Sequence, residues 1–162
     1  MNQFYTITYI DAPILRDWST NSKNMHTGTN LPSENVHTGV DLPAENVYSY
    51  TDGVVLAVGH VGNHYCVTIQ YDVFNLLRYD NLSSVSVGAG EIVQVGAVVG
   101  KADRFVHFEY ATKEQNGSKW SVRVGNQVYW KQNPNNIQIQ QPAPETVIGS
   151  ATSKETWQGK GW

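Results

Sequence analysis

Two histidines and one aspartate are the side chains of this sequence best suited to chemistry. His37 and Asp41 are separated by three residues, and His107 follows much later in the chain. Two imidazoles and a carboxylate suit a tetrahedral Zn²⁺ with one open position, where the pKa of a bound water falls to about 7. A histidine and an aspartate four positions apart also occur together by chance, so the spacing taken alone is weak evidence for a zinc site.

The segment 37–43, which carries the first two of these residues, is not expected to be helical. It contains Gly39, Pro43 and two β-branched residues, all of which are poor helix formers. We therefore expect an extended segment with a turn at Gly39, rather than a helix that presents both side chains on one face.

The segments that must position these residues are predicted to be β-strands. Short runs of β-branched and aromatic residues, separated by Gly, Asn and Asp, recur through the middle of the chain, whereas helical periodicity is hard to find. This pattern predicts an all-β, mostly antiparallel fold. The candidate strands cover 53–58, 65–71, 74–79, 91–93, 96–100 and 105–110.

Length and charge exclude some classes of function. The 162 residues fit one domain, and the net charge of −3 argues against nucleic-acid binding as the main function. Charged residues make up 15 % of the chain, against roughly 25 % in most soluble domains. Such a weakly charged, polar surface is common in extracellular proteins and large assemblies. Cys66 is the single cysteine, which excludes an intrachain disulfide and favours a packed small hydrophobe.

The two ends of the chain differ from its middle. Residues 1–25 show no clear periodicity, and the chain becomes polar and proline-rich after Asn133 and Pro134. We therefore expect an N-terminal extension (1–25), a folded domain (26–135) and a polar tail (136–162) that is most easily ordered by packing on neighbouring subunits. The sequence predicts neither a membrane span nor a secretory signal peptide.

An 11-residue repeat lies at the start of the predicted domain. Residues 26–36 (HTGTNLPSENV) are followed directly by residues 37–47 (HTGVDLPAENV). Two copies are too few for a solenoid, so this is a local tandem duplication. The fifth position is Asn30 in the first copy and Asp41 in the second, so only the second copy offers a histidine and a carboxylate four positions apart. His26, at the start of the first copy, could swing over the candidate zinc site.

Several longer motifs follow one another in a specific order between residues 37 and 135. They are His37–Pro43, Asp52–Val55, Gly62–Ile69, Arg78–Val85, Val87–Gly96, Val106–Glu109 and Asn133-Pro134. In sequence and order these motifs resemble the lysostaphin-type (LytM-type) zinc endopeptidases of bacterial cell walls. The resemblance implies a compact β-fold of the duplicated hybrid-motif type, with a groove over a zinc ion. It also implies cleavage of peptide bonds in peptidoglycan, with His37, Asp41 and His107 at the positions of the three zinc ligands.

Two positions depart from that family. Its catalytic His-x-His histidine is replaced by Phe105, and its second catalytic histidine, which precedes a leucine, is replaced by Asn81. A positioned acid or base contributes about 10²–10⁴-fold to a rate, and one oxyanion donor about 10²–10³-fold. Phe105 can do neither, and Asn81 can only donate a hydrogen bond. We therefore expect a degenerate peptidase in which Asn81 and Tyr79 contribute to binding.

The other candidate residues are expected to have structural roles. His60 and His64 lie around a predicted turn and are interpreted as turn or surface histidines. Glu109, close to His107, could support a metal ligand, but we expect its side chain to point to the opposite face of the strand and to be structural.

Two functional hypotheses follow. The first is a structural or peptidoglycan-contacting component of a phage tail (tip, hub or baseplate), located in the virion and weak or inactive in hydrolysis. Its partners would be other tail proteins and further copies of the chain. The second is an active zinc-dependent endopeptidase that opens the cell wall locally, and the retained zinc ligands favour it. Zinc is the cofactor that the resemblance implies.

Overall fold

A computed structural model describes residues 14–20 and 36–137. Within these ranges the chain forms nine strands and one short 3₁₀ helix, Pro134–Asn136. None of the helical structure described is long and apolar enough to cross a membrane. The strands are β1 (Val40–Pro43), β2 (Asn46–Tyr48), β3 (Gly53–Val61), β4 (His64–Gln70), β5 (Asn75–Val85), β6 (Ile92–Val93), β7 (Val98–Thr112), β8 (Ser121–Val124) and β9 (Gln127–Gln132).

The strands form an antiparallel sheet in the order β6-β3-β4-β5-β7-β9-β8, and β1 and β2 pair with β7 outside this path. The 15-residue β7 pairs with four other strands, so it forms the spine of the fold. The predicted all-β, antiparallel fold class is confirmed.

Alternation along β7 separates the core from the candidate site. Val106 and Phe108 are fully buried in the main hydrophobic cluster. The ring of Phe108 packs against the ring of Tyr79, with 5.4 Å between centroids. Because successive side chains of a strand point to opposite faces, Phe105 and His107 lie on the other face of β7.

The predicted strands are found, with two differences. Residues 98–100 of the predicted segment 96–100 and all of 105–110 belong to one strand, β7, although the run 101–104 between them contains three charged residues. Ala102 explains the continuity, since its side chain is buried and its N–H donates to the carbonyl of Glu45 at 2.8 Å. The prediction also missed β2, β8 and β9, which are short or interrupted by polar residues.

The segment 14–20, from the predicted N-terminal extension, pairs with the segment that carries His37 and Asp41. Backbone hydrogen bonds of 2.7 to 2.9 Å join Ser19 to His37, and Leu15 and Arg16 to Asp41. The first copy of the repeat, with His26, and the tail after residue 137 lie outside the described residues. The predicted division of the chain into three regions therefore stays a prediction.

Candidate metal centre

The turn before β1 brings His37 and Asp41 onto β7. Asp41 lies directly opposite His107 in the β1–β7 register. Gly39 is needed for this approach, because a Cβ at this position would lie 2.7 Å from His107 Cε1 and 2.7 Å from the carbonyl oxygen of Phe108. The expected extended segment with a turn at Gly39 is therefore present, and the close packing of backbone against β7 is its physical reason.

The three predicted ligands meet at one point. Asp41 Oδ1 lies 3.2 Å from His37 Nε2 and 2.7 Å from His107 Nδ1. One ligand atom from each residue can be chosen so that all lie within 4.8 Å of one another. The side chains of His37, Asp41 and His107 are 9 %, 13 % and 17 % exposed, so the cluster is largely shielded yet open to the surface.

In each imidazole, the ring nitrogen that faces away from Asp41 is hydrogen-bonded to another group of the protein. His37 Nδ1 donates to the carbonyl oxygen of Asp17 at 2.9 Å, and His107 Nε2 donates to Glu109 Oε2 at 3.0 Å. Two neutral imidazoles arranged in this way turn lone pairs towards the carboxylate of Asp41. Three acceptors directed at one point repel each other unless a cation or protons lie between them. The donor set therefore fits a zinc ion, and partners such as Asp17 and Glu109 are typical of zinc sites.

Without a metal, protonation takes the place of the cation. Burial alone would lower the pKa of His107, but hydrogen bonds to Asp41 and Glu109 outweigh it and raise the pKa to about 9. Burial would raise the pKa of Asp41, but hydrogen bonds from His107 and His37 hold it below the usual value. The carboxylate thus stays ionised and ready to bind a cation.

Glu109 belongs to the centre, and the expectation that it faces away from His107 is wrong. Residues two apart on a strand share a face, so Glu109 lies beside His107. Its side chain is 4 % exposed and also contacts Lys131 Nζ at 3.0 Å and Arg78 Nη1. Burial would raise the pKa of Glu109, but His107, Lys131 and Arg78 lower it to about 2. Glu109 is therefore an ionised carboxylate beneath a candidate metal ligand.

The Glu109→Gln variant should bind zinc roughly 10–100-fold more weakly, because a neutral amide orients the His107 ring less strongly than a carboxylate. Competition with a chromophoric chelator would measure this loss. The matched control is Glu114→Gln, at an exposed position outside the centre. Equal zinc affinity of the Glu109→Gln variant and the unmodified chain would contradict a positioning role for Glu109.

The pKa values also predict how the stability of the metal-free protein depends on pH. The Glu109 pKa falls from 4.5 to about 2 on folding, so its contribution is lost as the pH drops through that range. The His107 pKa rises from 6.5 to about 9, so its contribution is lost as the pH rises through that range. Thermal unfolding in a chelator should therefore show greatest stability between about pH 4.5 and 6.5. Unchanged stability of the metal-free protein from pH 6.5 to 9 would contradict this.

A groove of about 320 Å³ opens over the three candidate ligands. Asn81 and Phe105, where the resemblance implies the family's two catalytic histidines, both lie in its wall, and Asn81 Nδ2 donates to the carbonyl oxygen of Phe105 at 2.9 Å. Asn81 adopts a left-handed backbone conformation with a φ of 68°, which asparagine tolerates better than most residues. The remaining wall residues are Arg16, Val61, His64 and Asp80.

His64 is a wall residue that the sequence did not indicate. It begins β4 and pairs with Val61 at the tip of the β3–β4 hairpin, and the tertiary fold brings this tip to the groove. His60 differs, because its ring packs edge-on against Tyr65 with 4.2 Å between centroids, and it does not line the groove. Sequence pattern alone offers no signal that separates these two histidines.

Tyr79 does not contribute to binding, so that prediction is wrong. Its side chain is fully buried in the core, and its hydroxyl accepts a hydrogen bond from the Tyr50 N–H at 2.8 Å. Burial raises the pKa of this hydroxyl. Tyr79 and Asn81 are two positions apart, but an irregularity in the β5–β7 register between Asp80 and Leu82 gives Asn81 a different environment.

Comparison with known proteins agrees with this geometry. The family model described as peptidase family M23 matches residues 35–118. No curated protein matches the chain.

Several solved structures share the fold. A zinc-containing peptidase from Vibrio cholerae is 25 % identical, with a TM-score of 0.50, covering 62 % of this chain and 33 % of that one. A mutant catalytic domain of the prophage-encoded M23 protein EnpA from Enterococcus faecalis is 19 % identical, with a TM-score of 0.54 and coverage of 79 % and 92 %. The antimicrobial peptidase lysostaphin from Staphylococcus simulans is 16 % identical, with a TM-score of 0.56 and coverage of 90 % and 60 %.

The chain thus spans about a third of the Vibrio peptidase and less than two thirds of lysostaphin. Peptidases of family M23 depend on zinc, and the His-Asp-His cluster lies within the matched region. Fold, motif order and family match agree: this chain belongs to peptidase family M23 and has the lysostaphin-type fold.

Proposed function

We propose that this chain is a zinc-binding, peptidoglycan-directed domain with little or no hydrolytic activity, and that it serves as a structural or wall-contacting part of a phage tail. The observation that supports zinc binding is the convergence of His37, Asp41 and His107 beneath an open groove. Zinc held there would keep a coordination position for water and polarise a peptide carbonyl. The groove would then receive a peptide of the cell wall.

The side chains around the groove support the proposal that the chain has little hydrolytic activity. Asn81 and Phe105 stand where the family has its catalytic histidines, and neither side chain can transfer a proton near neutral pH. The Asn81 amide is also engaged with the Phe105 carbonyl, which favours a binding or structural role over a catalytic one. A groove of this kind would bind peptides of the bacterial cell wall without cutting them efficiently.

Elemental mass spectrometry and a wall-clearing assay test this function together. We expect about one zinc ion per chain, and little clearing of purified peptidoglycan by the zinc-loaded protein. Efficient clearing that disappears with a chelator would contradict the proposed inactivity. A chain without zinc would contradict the metal centre, and the three ligands would then have only a structural role.

The proposed place in a phage tail is the tip, hub or baseplate. EnpA, which shares the fold, is prophage-encoded. Val73 and Phe74, in the connection between β4 and β5, are 62 % and 55 % exposed, which suits contacts with neighbouring subunits. Antibodies against the chain should label the tail of the phage that encodes it. Labelling confined to the host wall would contradict a role in the virion.

An active zinc-dependent endopeptidase is the second candidate, because His64 adds an imidazole to the groove wall. If His64 supplies acid–base catalysis, the His64→Ala variant should lose about 10²–10⁴-fold of any hydrolysis that the chain shows. His60→Ala is the matched control, since His60 lies in the same hairpin but outside the groove. Equal hydrolysis by both variants would exclude His64 as the catalytic group.

A further inference from the structure

A second pocket, of about 300 Å³, lies near the C-terminal end of β7. Four asparagines line it, together with Tyr110, Thr112 and Gln132, and no residue lines both this pocket and the metal groove. Thr112 follows His107 by five residues in β7, so the two sites are about 16 Å apart along the strand. Because five is an odd number of positions, the side chains of His107 and Thr112 point to opposite faces of β7. The pocket is therefore a separate site.

Every side chain in the wall of this pocket is polar and uncharged. A phosphate, carboxylate or ammonium group would find no opposite charge there to compensate for its lost hydration. An apolar ligand would leave the wall amides without hydrogen bonds, which is also costly. The wall chemistry therefore selects for a neutral ligand that is rich in hydrogen-bonding groups.

Several polar atoms of the wall are oriented by neighbours and still available. Gln132 Nε2 donates to the carbonyls of residues 114 and 115 at 3.2 and 3.0 Å, which leaves Oε1 as an acceptor. Asn133 Oδ1 accepts from the Asn135 N–H at 3.0 Å, which leaves Nδ2 as a donor. Thr112 is 7 % exposed, and its side chain lines the pocket. The pocket thus holds preoriented donors and acceptors.

We propose that this pocket binds an uncharged saccharide built from N-acetylhexosamine units. A sugar hydroxyl both donates and accepts, so one hydroxyl can donate to Gln132 Oε1 while a neighbouring hydroxyl accepts from Asn133 Nδ2. The acetamido group of an N-acetylhexosamine carries an N–H and a carbonyl, which can meet the same acceptor and donor. This site goes beyond the proposed zinc function and does not depend on it, because no candidate metal ligand contributes to its wall.

Isothermal titration calorimetry of the full chain with a tetrasaccharide of N-acetylglucosamine tests the proposal. Maltotetraose, which has hydroxyls but no acetamido groups, serves as the comparison ligand. We expect the N-acetylglucosamine tetrasaccharide to bind more tightly. Thr112→Val and Asn136→Ala should each weaken binding by roughly tenfold, the effect of one lost hydrogen bond.

Two controls separate this site from the metal centre. Asn126→Ala removes an exposed amide outside the pocket, and a chelator removes any bound metal, so in both cases the saccharide should bind as it does to the unmodified chain. Asn136 is exposed, so its variant keeps the test valid even if Thr112→Val is poorly folded.

Absence of binding by the unmodified chain, or unchanged binding by the Asn136→Ala variant, would overturn the site. Equal affinity for maltotetraose would overturn the N-acetylhexosamine assignment. Loss of saccharide binding in the presence of a chelator would overturn the independence of the two sites.

Discussion

Restoring histidine at positions 81 and 105 should raise zinc-dependent hydrolysis of peptidoglycan by about 10²–10⁴-fold for each catalytic role regained. The substitutions are Asn81→His and Phe105→His, and the double variant should show the largest gain. The structural reason is that both positions already line the groove with the candidate ligands. Phe105 also shares a face of β7 with His107, two residues away, so an imidazole there would lie beside the metal.

Release of soluble fragments from purified peptidoglycan, with and without a chelator, would measure this gain. Asn126→His is the matched control, because it adds an imidazole at an exposed position outside the groove. Zinc content must be equal in all variants for the comparison to hold. A double variant no more active than the Asn126→His control would show that the two replacements are not what limits hydrolysis.

Zinc should stabilise the unmodified chain and have little effect on the His107→Ala variant. At a free zinc concentration 100-fold above the dissociation constant, binding adds about 2.7 kcal/mol to the free energy of unfolding. For a chain of this length that corresponds to a rise in Tm of about 5–10 °C. The rise should grow between about pH 6.5 and 9, because a proton on His107 competes with the metal.

Thermal unfolding with zinc or a chelator, at several pH values, would measure this difference. His60→Ala is the matched control, since it removes a histidine that does not line the groove. A Tm that rises equally in His107→Ala would place the bound zinc elsewhere. A rise that shrinks towards pH 9 would contradict competition between the proton and the metal at His107.

The sequence by itself determined much of the site. The three candidate ligands and the positions of Asn81 and Phe105 followed from the order of motifs, because short stretches of residues carry that information directly. Residues 105–110 were also predicted to be a strand, and they lie within β7. Residues two apart on a strand share a face, so the sequence also contained the information that Glu109 lies beside His107. The expectation that Glu109 faces away was therefore a wrong interpretation of that pattern.

Other features were decided by the tertiary structure alone. Asp17 supports His37 from 20 residues away, His64 reaches the groove from a hairpin tip, and Lys131 reaches Glu109 from β9. No local pattern specifies such contacts, because they depend on which strands become neighbours in the sheet. Tyr79 is an opposite case, because its place in a motif suggested a binding role. Its side chain is buried in the core, since β5 is paired with a strand on each side. Residue types and their order identify the chemistry available to this chain, whereas long-range strand pairing decides which side chains share a groove and which are buried.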